Sequence, residues 1–260
     1  MTAPSYVEGH DLLADRVVVV TAAAGAGIGA AAARRALEEG ARGVVLGDVH
    51  ERRLSESEES LAREFGADRV TSRLCDVTVE AHVQGLFDAA DQYGGCDVLI
   101  NNAGLGGTAS ITDMTDEEWS RVLDITLTGT MRCVRAAGRR WIESGAPGVI
   151  VNNASVIGWR AQEGQAHYAA AKAGVMALTR SAAMDLAPHG IRVNAVSPSL
   201  AMHPFLEKVT SAELLEELKG REAFGRAAEP WEVANVMVFL ASPYSSYLTG
   251  EVVSVSSQHA

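Results

Sequence analysis

In the stretch HYAAAKAG (167–174) a phenol and an ammonium stand four residues apart, at Tyr168 and Lys172, with only alanines between them. On a helix that spacing puts both groups on one face, about one turn apart. The chemistry open to such a pair is proton transfer. A free phenol, with a pKa of about 10, is a poor base near neutrality, and a neighbouring ammonium favours its phenolate. The same residues would also suit an alanine-rich packing helix with two half-buried side chains. The pair alone does not choose between these readings.

A second candidate site lies near the start of the chain. The run RVVVV (16–20) leads into TAAAGAGIGAAAARRALEEG (21–40). Glycines between a strand and a helix allow a tight turn and close approach of a diphosphate, which the helix N-terminus then meets with free N–H groups. Thr21, Gly25, Gly27, Ile28 and Gly29 are the candidate contacts. Asp48 ends the next apolar run, 21 residues after Gly27. There a carboxylate can accept ribose hydroxyls and repel a 2′-phosphate. Arg52 and Arg53 follow closely and could serve a phosphate, so NAD is the expected cofactor and NADP the alternative.

These groups need elements to hold them. Valine-rich runs at 16–20, 43–48, 69–76, 97–100, 148–153, 191–197 and 251–257 read as strands. Helical patterns fall between them at 28–39, 52–64, 79–93, 116–140, 165–187 and 230–241. Near-continuous apolarity in the strands means both sheet faces are covered, and strand–helix alternation predicts an α/β doubly wound parallel sheet of about seven strands. Right-handed crossovers then place the strand C-terminal ends on one functional edge. With no repeat or linker, the chain reads as one domain over 1–260, with a short extension at 1–14.

Composition sets outer bounds. The 260 residues are 47% hydrophobic and 21% charged, with a net charge of −11. That balance argues against broad binding to nucleic acid or an anionic membrane. Val17 to Ala33 carries no charge, yet it is shorter than a membrane span and broken by Gly25, Gly27 and Gly29. The acidic opening MTAPSYVEGHDLL does not read as a signal peptide. Cys75, Cys96 and Cys133 are odd in number and lack CxxC spacing, so they read as buried thiols in a reducing, cytoplasmic compartment. The seven histidines show no ligand spacing, and no metal is expected.

Six motifs in register carry a family resemblance: GAGIG (25–29), CDV (75–77), NNAG (101–104), NNASV (152–156), YAAAK (168–172) and RVNAVSPS (192–199). Their order and spacing, from Val17 to Val255, resemble the short-chain dehydrogenase/reductase family with its Rossmann-type fold. The resemblance implies NAD(P)-dependent oxidation of a secondary alcohol or reduction of a ketone. In that family a serine lies 13 residues before the tyrosine, and Ser155 fits that interval. Tyr168 would be the acid/base, Ser155 would hold the substrate oxygen, and Lys172 would lower the phenol pKa and bridge to the nicotinamide ribose. By the same resemblance Asp76 and Val77 would contact the adenine side. Asn102, Ala103 and Gly104 would line its ribose, and the backbone from Pro198 to Ala201 would meet the carboxamide.

Four positions depart from the family pattern. Ala22 follows Thr21, and the stretch to Gly27 is one residue longer than usual. Alanine resists positive φ, so Gly25 is expected to supply that freedom. Thr126 stands where the family has an asparagine that supports a water-linked proton path to the lysine. Its hydroxyl is expected to bond its own helix backbone and keep part of that geometry. Pro198 is followed by Ser199, with His203 in place of a threonine, and VSSQ (255–258) replaces a glycine-rich ending.

The last two departures bear on specificity. VIGWRAQEGQAH (156–167) and the segment 199–229 should wall the substrate pocket. In the latter, Phe205, Leu206, Val209, Leu214, Leu215 and Leu218 fit either a mobile lid or a plain amphipathic helix. Trp159 reads as a flat wall for a ring or as core. Arg160 reads as an anion contact or as a solvated surface residue. SVIGWRAQ, SPSLAMHPFLEK and SVSSQHA resemble an actinobacterial branch acting on coenzyme A thioesters, some from the bicyclic ring fragments of steroid degradation. That resemblance implies a ring hydroxyl on such a thioester as substrate, with a 3-oxoacyl-thioester reductase as the alternative. A silent cofactor-binding regulator is disfavoured by the full Ser/Tyr/Lys set. The family also implies a homotetramer built on the helices at 116–140 and 165–187.

Overall fold

Seven aliphatic runs form one parallel sheet in the order β3-β2-β1-β4-β5-β6-β7. The strands are β1 Val17–Thr21, β2 Gly43–Asp48, β3 Val70–Leu74, β4 Val98–Asn101, β5 Gly148–Asn153, β6 Ile191–Pro198 and β7 Val252–Val255. The computed structural model describes residue 2 and residues 4–202 and 212–258. β1 pairs with β2 on one side and β4 on the other, so strand order reverses there and opens a crevice at the strand C-terminal ends.

Eight α-helices cover the two faces among the described residues: α1 Ile28–Glu38, α2 Glu51–Phe65, α3 Glu80–Asp88, α4 Asp116–Leu123, α5 Gly129–Ser144, α6 Ala166–Leu186, α7 Ala212–Arg221 and α8 Pro230–Ala241. Alternate residues of one strand feed opposite layers. Val18 and Val20 pack with Ala33, Leu37 and Met237. Val17 and Val19 pack with Phe87, Cys133 and Trp141 on the other face. Two covered faces explain why the strands are apolar throughout rather than alternating.

The structure corrects three expectations of local form. The pattern at 116–140 is not one helix: a π-helical turn, Asp124–Thr128, separates α4 from α5. The pattern at 79–93 passes from α3 into a 3-10 turn, Ala89–Tyr93. In the glycine turn, Ala22 itself takes φ 51° while Gly25 takes φ 85°; the left-handed cost falls partly on an alanine.

Residues 4–14 are strapped to α1. Glu39 is fully buried, pairs with Arg35 at 2.5 Å, and accepts the His10 and Leu12 N–H groups at 2.7 and 3.0 Å. Those backbone donors satisfy the acceptors that make a buried ion pair tolerable.

Candidate active site

Parallel strands bring Thr21, Asp48, Asn101, Asn153 and Pro198 to one edge of the sheet. From there polar contacts run across the switch point. The Thr21 hydroxyl accepts from the N–H groups of Asn102 and Ala103 at 2.9 and 3.0 Å. Asn102 donates its amide to the Ala22 carbonyl at 3.1 Å and accepts from Asn153 at 2.8 Å. Lys172 donates to the Asn153 carbonyl at 2.5 Å. One connected path thus ties the glycine turn to the lysine on α6.

The glycine turn suits a diphosphate. Gly27 caps α1 without a side-chain hydrogen bond, and a Cβ on it would meet nothing within 4 Å. The helix N–H groups therefore face open space. Gly29 is required for close packing: a Cβ there would stand 2.2 Å from the Ala22 carbonyl oxygen and 2.5 Å from the Asn102 amide. Ile28 opens α1 beside it. Asp48 is 8% exposed and accepts from the N–H groups of Ala24 and His50 at 3.1 and 3.0 Å. Burial pushes its carboxyl above the ordinary value, an effect opposed by the Ala24 N–H, by Arg53 and by the Val49 N–H.

Asp76 and Val77 lie past β3. Burial raises the Asp76 carboxyl, but hydrogen bonds from the Thr78 hydroxyl and N–H outweigh it and hold the group below its usual range. Val77 is buried against Gly129 at the start of α5. At the exit of β6, Pro198 leads to Ala201, which forms a parallel bridge with Ala228.

Ser155, Tyr168 and Lys172 converge. Ser155 is 9% exposed, accepts from the Ile157 N–H at 3.3 Å and shares a hydrogen bond with Tyr168. Tyr168 sits in the first turn of α6. Burial holds its phenol above the ordinary value, moderated by the bond with Ser155. The Lys172 ammonium lies 5.6 Å from the Tyr168 ring centroid and is 3% exposed, and burial lowers its pKa to about 8.

Thr126 differs from expectation in what its hydroxyl bonds. It lies in the π-helical turn and is fully buried. Its hydroxyl does not bond its own helix. It accepts from the Leu105 N–H at 3.0 Å and reaches the Leu105 carbonyl at 3.2 Å, pinning the chain just after Gly104. A Cβ on Gly104 would stand 3.4 Å from the Lys172 nitrogen and 3.6 Å from the Thr126 hydroxyl. The Thr130 hydroxyl donates to the Thr126 carbonyl at 2.8 Å, the usual back-bond of a helical threonine to the residue four before it. Thr126→Val keeps the shape but strands two backbone groups of Leu105. It should destabilise the protein by about 1–3 kcal/mol. A thermal melt reads this as a fall of several degrees; an unchanged melting temperature would mean the hydroxyl holds nothing.

Three residues of the site had no role in the sequence reading. His167 is buried and accepts the Tyr168 N–H at 2.9 Å on its Nδ1, satisfying a donor at the helix start. Asn153 joins Asn102 to Lys172, and its side-chain oxygen is buried without a partner. Glu222, 4% exposed, stands behind the β6 exit. Trp159 is 50% exposed, which settles it as surface rather than core. Arg160 is half-buried and donates to Gln258. Leu215 of α7 is buried and Leu214 exposed. His203, Phe205, Leu206 and Val209 lie outside the described residues.

The thiols of Cys75, Cys96 and Cys133 are free, and burial pushes Cys75 up to about 12. Among the described residues no group of His, Cys, Asp or Glu is arranged to hold a metal ion, and no helix is long and apolar enough to cross a membrane.

Known proteins resemble this chain over almost its whole length. A family model described as enoyl-(acyl carrier protein) reductase matches residues 22–257. A (5R,7aS)-5-hydroxy-7a-methyl-1-oxo-2,3,5,6,7,7a-hexahydro-1H-indene-carboxyl-CoA reductase of Mycobacterium tuberculosis is 61% identical over 99% of this chain and 98% of its own. A cis-4-hydroxycyclohexanecarboxylate dehydrogenase of Sinomonas cyclohexanicum is 41% identical over 94% of this chain and 96% of its own. A crystal structure of a short chain dehydrogenase from Mycobacterium smegmatis superimposes with a TM-score of 0.88 at 56% identity, covering 100% of this chain and 99% of that one.

Proposed function

The chain belongs to the short-chain dehydrogenase/reductase family of oxidoreductases acting on hydroxyl groups, and from that premise we propose that it moves a hydride between NAD(H) and a ring carbon bearing a hydroxyl or keto group, on a bicyclic ring system carried as a coenzyme A thioester. One observation carries the reaction: a serine hydroxyl, a phenol and an ammonium meet beside an open helix N-terminus at the switch point of the sheet. The substrate class is supported by two relatives whose names describe hydroxylated rings bearing a carboxyl group, one of them as its CoA ester.

Bound NAD(H) supplies the hydride donor or acceptor. Tyr168 gives a proton to the ketone oxygen in reduction, or takes it from the hydroxyl in oxidation. Ser155 donates a hydrogen bond to that oxygen and holds it within reach of the phenol. Lys172 places a positive charge in a dry pocket beside the phenolate. Thr126 keeps Leu105 and Gly104 against the lysine. Thr21, Gly25, Gly27, Ile28 and Gly29 would hold the diphosphate, and Asn102, Ala103, Gly104, Asp76 and Val77 the adenosine side. The backbone from Pro198 to Ala201 would meet the carboxamide.

Asp48 supports NAD over NADP. Its carboxylate sits at the end of β2, fixed by two backbone N–H groups. Arg34, Arg52 and Arg53 line a pocket of about 570 Å³ beside Gly25 and Gly27, but Arg52 is paired with Glu56 at 2.6 Å. Asp48→Ser should raise the KM for NADH by roughly 10–100-fold, the worth of a charge-assisted hydrogen bond. It should also narrow the preference over NADPH. Initial rates with both cofactors check this, and an unchanged ratio would remove Asp48 from cofactor choice.

A cytoplasmic homotetramer completes the reading. Trp119, Ile142 and Met184 leave apolar surface on α4, α5 and α6. The edge strand β7 is only half-buried, a surface that native proteins cover. The free thiols suit a reducing compartment. The substrate is tested by steady-state rates with the bicyclic keto CoA ester and with acetoacetyl-CoA. The bicyclic ester should win by tenfold or more in kcat/KM. Preference for acetoacetyl-CoA would instead make the protein a 3-oxoacyl-thioester reductase.

A further inference from the structure

Three segments of the chain, two of them expected to flank the substrate, meet at one amide. Arg160, just past Ser155 and Trp159, donates to the side-chain oxygen of Gln258. The same amide donates its nitrogen to Glu222 at 2.7 Å. Glu222 follows α7, is 4% exposed, and also accepts from the Ser257 hydroxyl at 2.8 Å and the Leu200 N–H at 3.3 Å. The Ala223 N–H donates to the Ser257 carbonyl at 3.0 Å. A neutral amide is suited to this position because it accepts from a guanidinium and donates to a carboxylate at once. A carboxylate there would face Glu222 with like charge, and an aliphatic side chain would leave both ions unjoined.

We propose that Gln258 is a specificity-positioning residue, latching the loop after Ser155 to the wall formed by the β6 exit and α7, and so fixing a pocket width suited to a rigid fused ring. The latch rests on the substrate reading above. Arg160 and Trp159 both donate their N–H groups to the Val156 carbonyl, so Trp159 moves with the arginine. Holding Arg160 holds the backbone that carries the half-exposed Trp159. A rigid ring needs both walls at a set distance. A short flexible acyl group, gripped at its oxygen by Ser155 and Tyr168, does not.

The test compares the wild type with Gln258→Met, Gln258→Glu and the double variant Glu222→Gln/Gln258→Glu. With the bicyclic keto CoA ester, both single variants should lose about tenfold in kcat/KM, mainly through KM. With acetoacetyl-CoA the change should stay within twofold. The double variant again sets one anion against Arg160, and it should recover at least threefold relative to Gln258→Glu. Equal losses on both substrates, no loss on either, or no recovery in the double variant would overturn the latch. If the wild type turns over no bicyclic ester, the substrate reading has failed separately. Amide exchange then decides: faster exchange over 156–163 in Gln258→Met supports the latch, and unchanged exchange there overturns it.

Discussion

Tyr168→Phe is expected to lower kcat by roughly 10²–10⁴-fold, the contribution of a positioned acid/base group, while NADH binding stays within twofold. The substitution removes one oxygen and keeps the ring that packs beside the Lys172 ammonium at 5.6 Å. The pocket's shape survives, and the proton donor does not. Ser155 cannot replace it, because an aliphatic hydroxyl is a far weaker acid than a phenol. Steady-state rates with a fluorescence titration of NADH separate the two effects. A loss below tenfold in kcat would mean the proton comes from elsewhere, and a lost NADH signal would mean Tyr168 is structural.

Lys172→Met is expected to reduce kcat/KM for ketone reduction by a similar factor and, unlike Tyr168→Phe, to weaken NADH binding as well. The ammonium is buried, donates to the Asn153 carbonyl and stands close to Gly104. It therefore joins the cofactor-side path through Asn102 to the reacting phenol. Lys172→Arg should fail too, since a bulkier guanidinium would have to fit a buried site already close to Gly104. The pH profile gives a sharper check. Burial brings the lysine pKa down to about 8, so its charge is present below that pH and lost above it. Wild-type kcat/KM for reduction should fall as pH rises through about 8. In Lys172→Met this limb should vanish. A limb retained in the variant would assign it to another group.

Much of this architecture was readable because the hydrophobic pattern is nearly redundant with the fold. The run at 43–48 became β2 Gly43–Asp48 and the run at 148–153 became β5 Gly148–Asn153, since a strand covered on both faces must be apolar along its whole length. The glycine turn was legible in kind, and its detail was not. Nothing local marks Ala22, rather than a glycine, as the residue at φ 51°; its conformation is held by Asn102, 80 positions away. The π turn was hidden for a related reason. DITLT continues the helical periodicity of its neighbours, and the changed register shows only in the backbone, where the Gly129 N–H reaches the Asp124 carbonyl five residues back.

The site shows the same division. Tyr168 and Lys172 are neighbours on one helix, so spacing placed them together. Ser155 needed the family interval. The latch was out of reach: Arg160 and Gln258 are 98 positions apart, and Glu222 and Gln258 are 36. Their meeting depends on how β6, α7 and the segment after β7 fold onto one edge. What the sequence did offer was the departure at 255–258, which marked that segment as unusual without giving its contacts.

The most direct measurement follows the hydride itself. Purified protein is given the bicyclic keto CoA ester with NADH carrying deuterium at the transferring position, and the product is analysed by mass spectrometry. The account predicts a secondary alcohol that is one deuterium heavier at the carbinol carbon, formed by the wild type and nearly abolished in Tyr168→Phe. A product without deuterium at that carbon, or with deuterium on an adjacent former alkene carbon, would contradict it.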